Sequence, residues 1–199
     1  LFTMSIVGYA QSTPFQIALE PVNISGLGGI QAFAWGQYNG KWLIVGGRLD
    51  GLHQRQPFAA FDIAGHNTQL IVIDPVAQQK WTAPLSSLPV GMQEQLSSTN
   101  MEFIQEGDYL YLIGGYGYSY VSNGHITYPN LTAIKLPEVI NAIINKSPFN
   151  TLFRQIMDEQ RANKVFKYED DFRQEAVRII KENRRDGGPP RRTRTIILR

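Results

Sequence analysis

Apolar and polar positions along this chain alternate in short runs separated by glycine-bearing turns. Residues 41–47 read Lys-Trp-Leu-Ile-Val-Gly-Gly, an aromatic-led apolar run closed by paired glycines. Tyr109-Leu110-Tyr111-Leu112-Ile113-Gly114-Gly115 repeats the arrangement, with Gly114 standing 68 positions after Gly46. A turn glycine precedes each run, at Gly40 and Gly107. A further apolar stretch precedes each turn, at 30–38 and at 100–105. Strand, tight turn and strand predict a β-hairpin in both places.

The two units continue in parallel. A polar loop carrying glycine and histidine follows Gly47, and then the apolar run Gln69-Leu70-Ile71-Val72-Ile73. Gly115 is followed by residues 116–130, expected as loop, and then by Leu131-Thr132-Ala133-Ile134-Lys135-Leu136. The first unit closes on Asp74-Pro75, a turn-initiating pair, and Trp81 opens a fourth strand. In the second unit Pro137 stands where Pro75 did, but no tryptophan follows. Val139, Ile140, Ile143 and Ile144 have helical spacing there instead. Residues 147–156 read as the lead-in to a third unit, with 150–154 standing where 98–102 stood before the second.

Hairpin, Gly46-Gly47, long loop, apolar strand, Asp74-Pro75 and Trp81 together resemble the kelch repeat, one four-stranded blade of a β-propeller. Gly114-Gly115 marks a second copy. The resemblance covers about residues 29–146, with blades at about 29–90 and 98–146. The 68-residue period exceeds the roughly 50 usual for kelch. The extra length follows the paired glycines in both units, as loop insertions would. The fold class implied is mainly β: an incomplete kelch-type β-propeller of about two four-stranded antiparallel blades, with a C-terminal helical, basic tail. An unrelated β-sandwich with glycine-rich hairpins is the competing fold. Two blades cannot close a ring, which takes about four to eight, so the expectation is a truncated chain that can self-associate through open blade edges.

Charge and glycine divide the chain. Through residue 150 there are six Lys/Arg against nine Asp/Glu; from 151 there are thirteen against eight. Sixteen of the eighteen glycines lie in the first part. A boundary near 150 follows, giving a partial propeller at 12–150 and a basic tail at 151–199. Within the tail, Phe172, Ala176, Ile179 and Ile180 fall on one face of a helix expected over 168–183. The stretch 168–178 also resembles the opening helix of insertion-element transposases. A nucleic-acid role would use Arg184, Arg185, Arg191, Arg192 and Arg194 on phosphates. A solvated tail, or sequence foreign to the parent gene, is the preferred reading. At the other end, residues 1–10 are apolar, with small residues at Gly8 and Ala10 before the polar Gln11, and residues 1–11 read like the back half of a secretory signal peptide. A first β-strand is the alternative. Export to the periplasm, cell surface or medium, most simply of a bacterial protein, is the localisation expected. No apolar run approaches the ~20 residues that cross a bilayer as a helix.

The chemistry on offer is sparse. The chain has no cysteine, which removes disulfides, thiolate metal sites and cysteine nucleophiles. Three histidines, His53, His66 and His125, follow the paired glycines without ligand spacing, so no metal is expected and the rings are expected to be exposed. No cofactor motif or nucleophile elbow occurs. The resemblance implies a binding rim just beyond each glycine pair: Arg48, Asp50 and His53 in one blade, Tyr116, Tyr118, Tyr120 and His125 in the next. Aromatic faces beside an Arg and an Asp suit a glycan or peptide. A non-catalytic module binding protein or glycan is therefore the leading expectation. A carbohydrate-modifying enzyme like the sialic-acid epimerase type of kelch propeller is the alternative. The copper site of galactose oxidase, another kelch propeller, needs a Tyr–Cys crosslink that this chain cannot form from its own residues.

Overall fold

The computed structural model describes residues 18–51 and 61–157. The expected signal remnant, the tail helix at 168–183 and His53 lie outside them. Two antiparallel sheets dominate. The first has four strands in sequential order: β1 (Ala34–Tyr38), β2 (Lys41–Val45), β3 (Gln69–Asp74) and β4 (Gln79–Pro84). A short helix α1 (Val90–Leu96) leads into the second sheet. There β5 (Thr99–Glu106) pairs with β6 (Tyr109–Ser119), which also carries the small strand β7 (Gly124–Thr127). Strand β8 (Asn130–Lys135) lies on the other side of β6, and helix α2 (Leu136–Ile144) separates it in sequence from its partner β9 (Phe153–Met157). Among the described residues no helix is long and apolar enough to cross a membrane.

Several expectations are met. Both hairpins form, Trp81 lies in the fourth strand, and the spaced aliphatics after Pro137 are helical. Asp74 starts its turn by accepting from the backbone N–H of Val76 at 3.0 Å and of Ala77 at 2.8 Å. Three expectations are corrected. The first strand begins at Ala34 rather than Ile30, because Ala32 has φ 52° and kinks the chain between the Gln31–Arg48 bridge and the regular ladder. The stretch 116–130 is not a loop: β6 runs on past Gly115 to Ser119 and turns back as β7. Residues 153–157 do not lead into a third unit. They form the fourth strand of the second sheet, opposite β8, and so extend that unit beyond the boundary expected near 150. The insertion of α2 before this strand is what hid it.

The two units repeat in backbone as well as sequence. Left-handed φ angles recur at Ala32 (52°) and Asn100 (56°), Asn39 (48°) and Gly107 (56°), Gly46 (66°) and Gly114 (70°), and Gly47 (89°) and Gly115 (98°). Every pair is separated by 68 positions. In the first unit Gly47 accepts from the N–H of Asn67 at 3.0 Å; in the second Gly115 accepts from Tyr128 at 2.9 Å.

The sheets share one core but contribute opposite faces. Leu43, Val45, Leu70 and Val72 of the first meet Leu110, Leu112 and Ile134 of the second, with Leu136, Val139, Ile140 and Ile143 of α2 and Met92 and Leu96 of α1. Trp81 packs against the same cluster. Burying each such aliphatic side chain stabilises the fold by roughly 2 kcal/mol. The counterparts of Leu110 and Leu112 in the first sheet are Trp42 and Ile44, which point away from this core. They form a second cluster with Ile71 and Ile73 beneath Ile24, Leu27, Ile30 and Phe33. The packing is therefore face to back, as between successive members of a stack.

Candidate functional site

The paired glycines bring the two units together at one end of the sheets. Gly46 and Gly47 lie where a side chain has no room: a Cβ on Gly46 would strike the Ser98 carbonyl oxygen, and one on Gly47 would meet the Gln31 carbonyl oxygen at 2.6 Å. With the gap closed, the N–H of Gly47 donates to Ser98 at 2.9 Å across the junction. Gln95, fully buried, secures the second unit. Its amide nitrogen donates to the carbonyls of Asn130 at 2.9 Å and Gly114 at 3.2 Å. Its oxygen accepts from the Thr132 hydroxyl at 2.6 Å and the Gln155 amide at 2.8 Å.

On this frame six of the seven expected rim residues come together, the seventh being His53. Arg48 and Tyr116 are counterparts, as are Asp50 and Tyr118. Arg48 does not project as a rim side chain. It is 2% exposed, pairs with Asp50, and donates to the Asp62 carbonyl at 3.0 Å. Hydrogen bonding from Arg48 holds the Asp50 carboxyl below the usual carboxylate range. Phe61 lies over the guanidinium at 5.7 Å, which begins a continuous run of rings. Phe61 meets Tyr116 edge-on at 4.9 Å, Tyr116 stacks on His125 at 5.8 Å, and His125 meets Tyr118 at 5.4 Å. Tyr118 then meets Tyr120 at 5.2 Å.

Polar contacts fix the run. His125 Nε2 lies 2.8 Å from the Phe61 carbonyl oxygen, joining the two units. The Tyr118 hydroxyl donates to Asn123 Oδ1 at 2.7 Å, and the buried Tyr128 donates to the Tyr118 carbonyl at 2.8 Å. Burial pushes the Tyr128 hydroxyl far up, so it stays a donor at every physiological pH. Glu94 accepts from the Tyr120 N–H at 2.8 Å. Tyr120 and Val121 project at the tip, 68% and 80% exposed.

His66 corrects the expectation of exposed histidines. It pairs with Arg48 across the ladder, is 8% exposed, and sits against Gly117, where a Cβ would lie 3.1 Å from its ring. Burial first, and the Arg48 charge second, push its pKa down, so it is neutral. His125, by contrast, is exposed on β7. Among the described residues no cluster of three or more His, Asp or Glu could hold a metal ion. Sequence reasoning missed Phe61, His66, Gln95 and Asn123. Only Phe61 carried a sequence signal, as an aromatic residue in the segment between the first glycine pair and β3.

The site offers half-buried ring faces of fixed orientation, an exposed imidazole and a protruding tyrosine. Among the described residues it presents no nucleophile–base pair. No protein-family model matches the chain, and no curated protein matches it.

Proposed function

We propose that the chain is part of a kelch-type β-propeller that acts as a non-catalytic module, binding a carbohydrate on the Tyr116–His125–Tyr118–Tyr120 platform. The propeller reading is supported by the recurrence of four left-handed positions at one 68-residue spacing and by face-to-back packing. The binding reading rests on one observation: rings from both units run without a break from Phe61 to Tyr120. A sugar ring presents C–H groups to such faces, and His125 and the tyrosine hydroxyls supply oriented polar partners. Tyr118 is positioned by its own bonds to Asn123 and Tyr128, so little ordering entropy opposes binding.

A glycan array probed with the full chain tests this. Retention of a glycan set that is lost in Tyr118→Ala and in His125→Ala is the expected result. Retention unchanged in both variants, or no retention at all, overturns the carbohydrate reading.

A further inference from the structure

Beyond the glycine pair, the first unit reaches the β6–β7 hairpin through one short stretch. Residues 61–66 hold a 3-10 turn, Ile63–Gly65, capped by Asp62, which accepts from the Ala64 N–H at 2.8 Å. The two ends of the stretch carry rings that touch the second unit. At its start, Phe61 meets Tyr116 edge-on, and the Phe61 carbonyl oxygen lies 2.8 Å from His125 Nε2. At its end, the His66 ring lies against Gly117, the residue of β6 that follows Tyr116. A movement that lifts His66 off Gly117 therefore pulls on the Phe61 contacts, only five residues away.

His66 stands where charge is costly. It is buried, and its Nε2 has no hydrogen-bond partner among the described residues; Nη1 of the neighbouring Arg48 is buried without one too. A neutral imidazole leaves one nitrogen unpaired at a smaller cost than an imidazolium does, because the cation has two N–H donors that both need acceptors. The charged groups around it supply none. Arg48, paired with it across the ladder, is itself a cation. Asp50 is committed to Arg48, and Asp62 to the Ala64 N–H. His125, on β7, faces it from the second unit. Burial first and Arg48 second push the His66 pKa down, and His125 adds to them, while Asp50 and Asp62 oppose.

We propose that His66 is an acid-sensitive latch between the two units. Neutral, it seats on Gly117 and keeps the run of rings closed. Protonated, it leaves for solvent, and Phe61 parts from Tyr116 and His125. The two forms differ in the surroundings of one ring, so each pH unit below the free-histidine value of 6.5 favours the parted form by up to about tenfold. Without the Phe61 carbonyl, His125 is no longer fixed between Tyr116 and Tyr118, and a ligand of the run is held more weakly in acid. The latch concerns how the run is held together, so it stands independently of the carbohydrate reading.

Near-ultraviolet circular dichroism of the full chain, titrated from about pH 7.5 to about pH 4.5, tests this with no ligand present. The tyrosine band is expected to weaken reversibly below pH 6.5 while the far-ultraviolet spectrum holds. His66→Gln and His66→Phe, neither of which takes up the proton, are expected to keep the band throughout. His125→Gln is expected to retain the transition, which separates the two rings. A wild-type band that does not change overturns the proposal. So does a transition that survives in a folded His66 variant, or one that disappears in His125→Gln. A far-ultraviolet loss in step with the band also overturns it, since that marks global unfolding. Should a variant fail to fold, NMR titration of the His66 and His125 rings in the wild type decides. The band must follow His66; a band that follows His125, or neither ring, overturns the latch.

Discussion

Asn100 donates its backbone N–H to the carbonyl of Ala32 at 3.1 Å, and the two residues are counterparts in the two units. A residue bonded to its own equivalent means that the units are neighbours in register. Both adopt left-handed φ angles, 52° at Ala32 and 56° at Asn100. Asparagine tolerates that region better than alanine does.

Ala32→Gly is therefore expected to stabilise the protein by about 0.5 kcal/mol. Relief of a left-handed Cβ, about 1–2 kcal/mol, outweighs the extra freedom glycine gives the unfolded chain, about 0.4–1 kcal/mol. Urea denaturation checks this, and a midpoint at or below that of the wild type contradicts it.

Gly46→Ala moves the other way. Its Cβ would strike the Ser98 carbonyl oxygen, and Gly46 has φ 66°. Backbone strain and a backbone clash together are expected to cost about 3 kcal/mol. The same urea series measures it. A loss below about 1 kcal/mol would mean that the junction between the units is not closely packed.

Gln95→Leu leaves four polar groups short of a buried partner: the carbonyls of Gly114 and Asn130, the Thr132 hydroxyl and the Gln155 amide. Each buried group so stranded costs about 1–3 kcal/mol, less where it keeps another partner. The expected loss is about 3 kcal/mol in equilibrium unfolding, larger than truncating an exposed side chain would give.

Acidification separates two contributions to stability. His66 has its pKa pushed down from 6.5 by burial and then by Arg48, so the folded protein binds its proton less readily than the unfolded chain. The stability it lends is whole above the unfolded value and falls as pH drops below 6.5 toward the folded value, by up to about 1.4 kcal/mol per pH unit. Asp50 and Asp74 are held below 3.8, chiefly by the Arg48 hydrogen bond and the Ala77 N–H respectively. Their contribution is present above 3.8 and is lost only at lower pH. His66→Gln is expected to flatten the fall in stability that sets in as pH drops below 6.5, and to leave the losses from Asp50 and Asp74 below 3.8 unchanged.

Tyr128→Phe deletes one hydroxyl and keeps the ring, leaving the Tyr118 carbonyl without its 2.8 Å donor. A loss of about 1 kcal/mol is expected, with a weaker near-ultraviolet dichroism band as Tyr118 loses its anchor. An unchanged band would show that Asn123 alone holds the ring.

How much was legible depended on whether a feature was local. The turns before each glycine-paired run, Asp74-Pro75 and the aliphatic spacing after Pro137 each act over a few residues, and each formed the element expected of it; the paired glycines close β2 but lie inside β6. Strand β9 was hidden because its partner β8 lies beyond an inserted helix, and nothing in Phe153-Arg154-Gln155 says which edge it will join. The β6–β7 hairpin was hidden because Gly117, Asn123 and Gly124 read as loop residues until the cross-strand pairs of Tyr116 and Tyr118 are formed. At the site, the sequence marked Arg48 and Asp50 but not that they would pair with each other, nor that Arg48 would be buried beneath Phe61.

The spacing of 68 between recurring motifs, the alternation within each strand and the demand for glycine at left-handed turns were written in the chain, since they follow from backbone sterics and nearest neighbours. Which face of each sheet is buried, which histidine is neutral and which rings touch were decided only when the units packed. Those properties depend on distances between residues more than sixty positions apart, such as His125 and Phe61, and only the folded chain sets them.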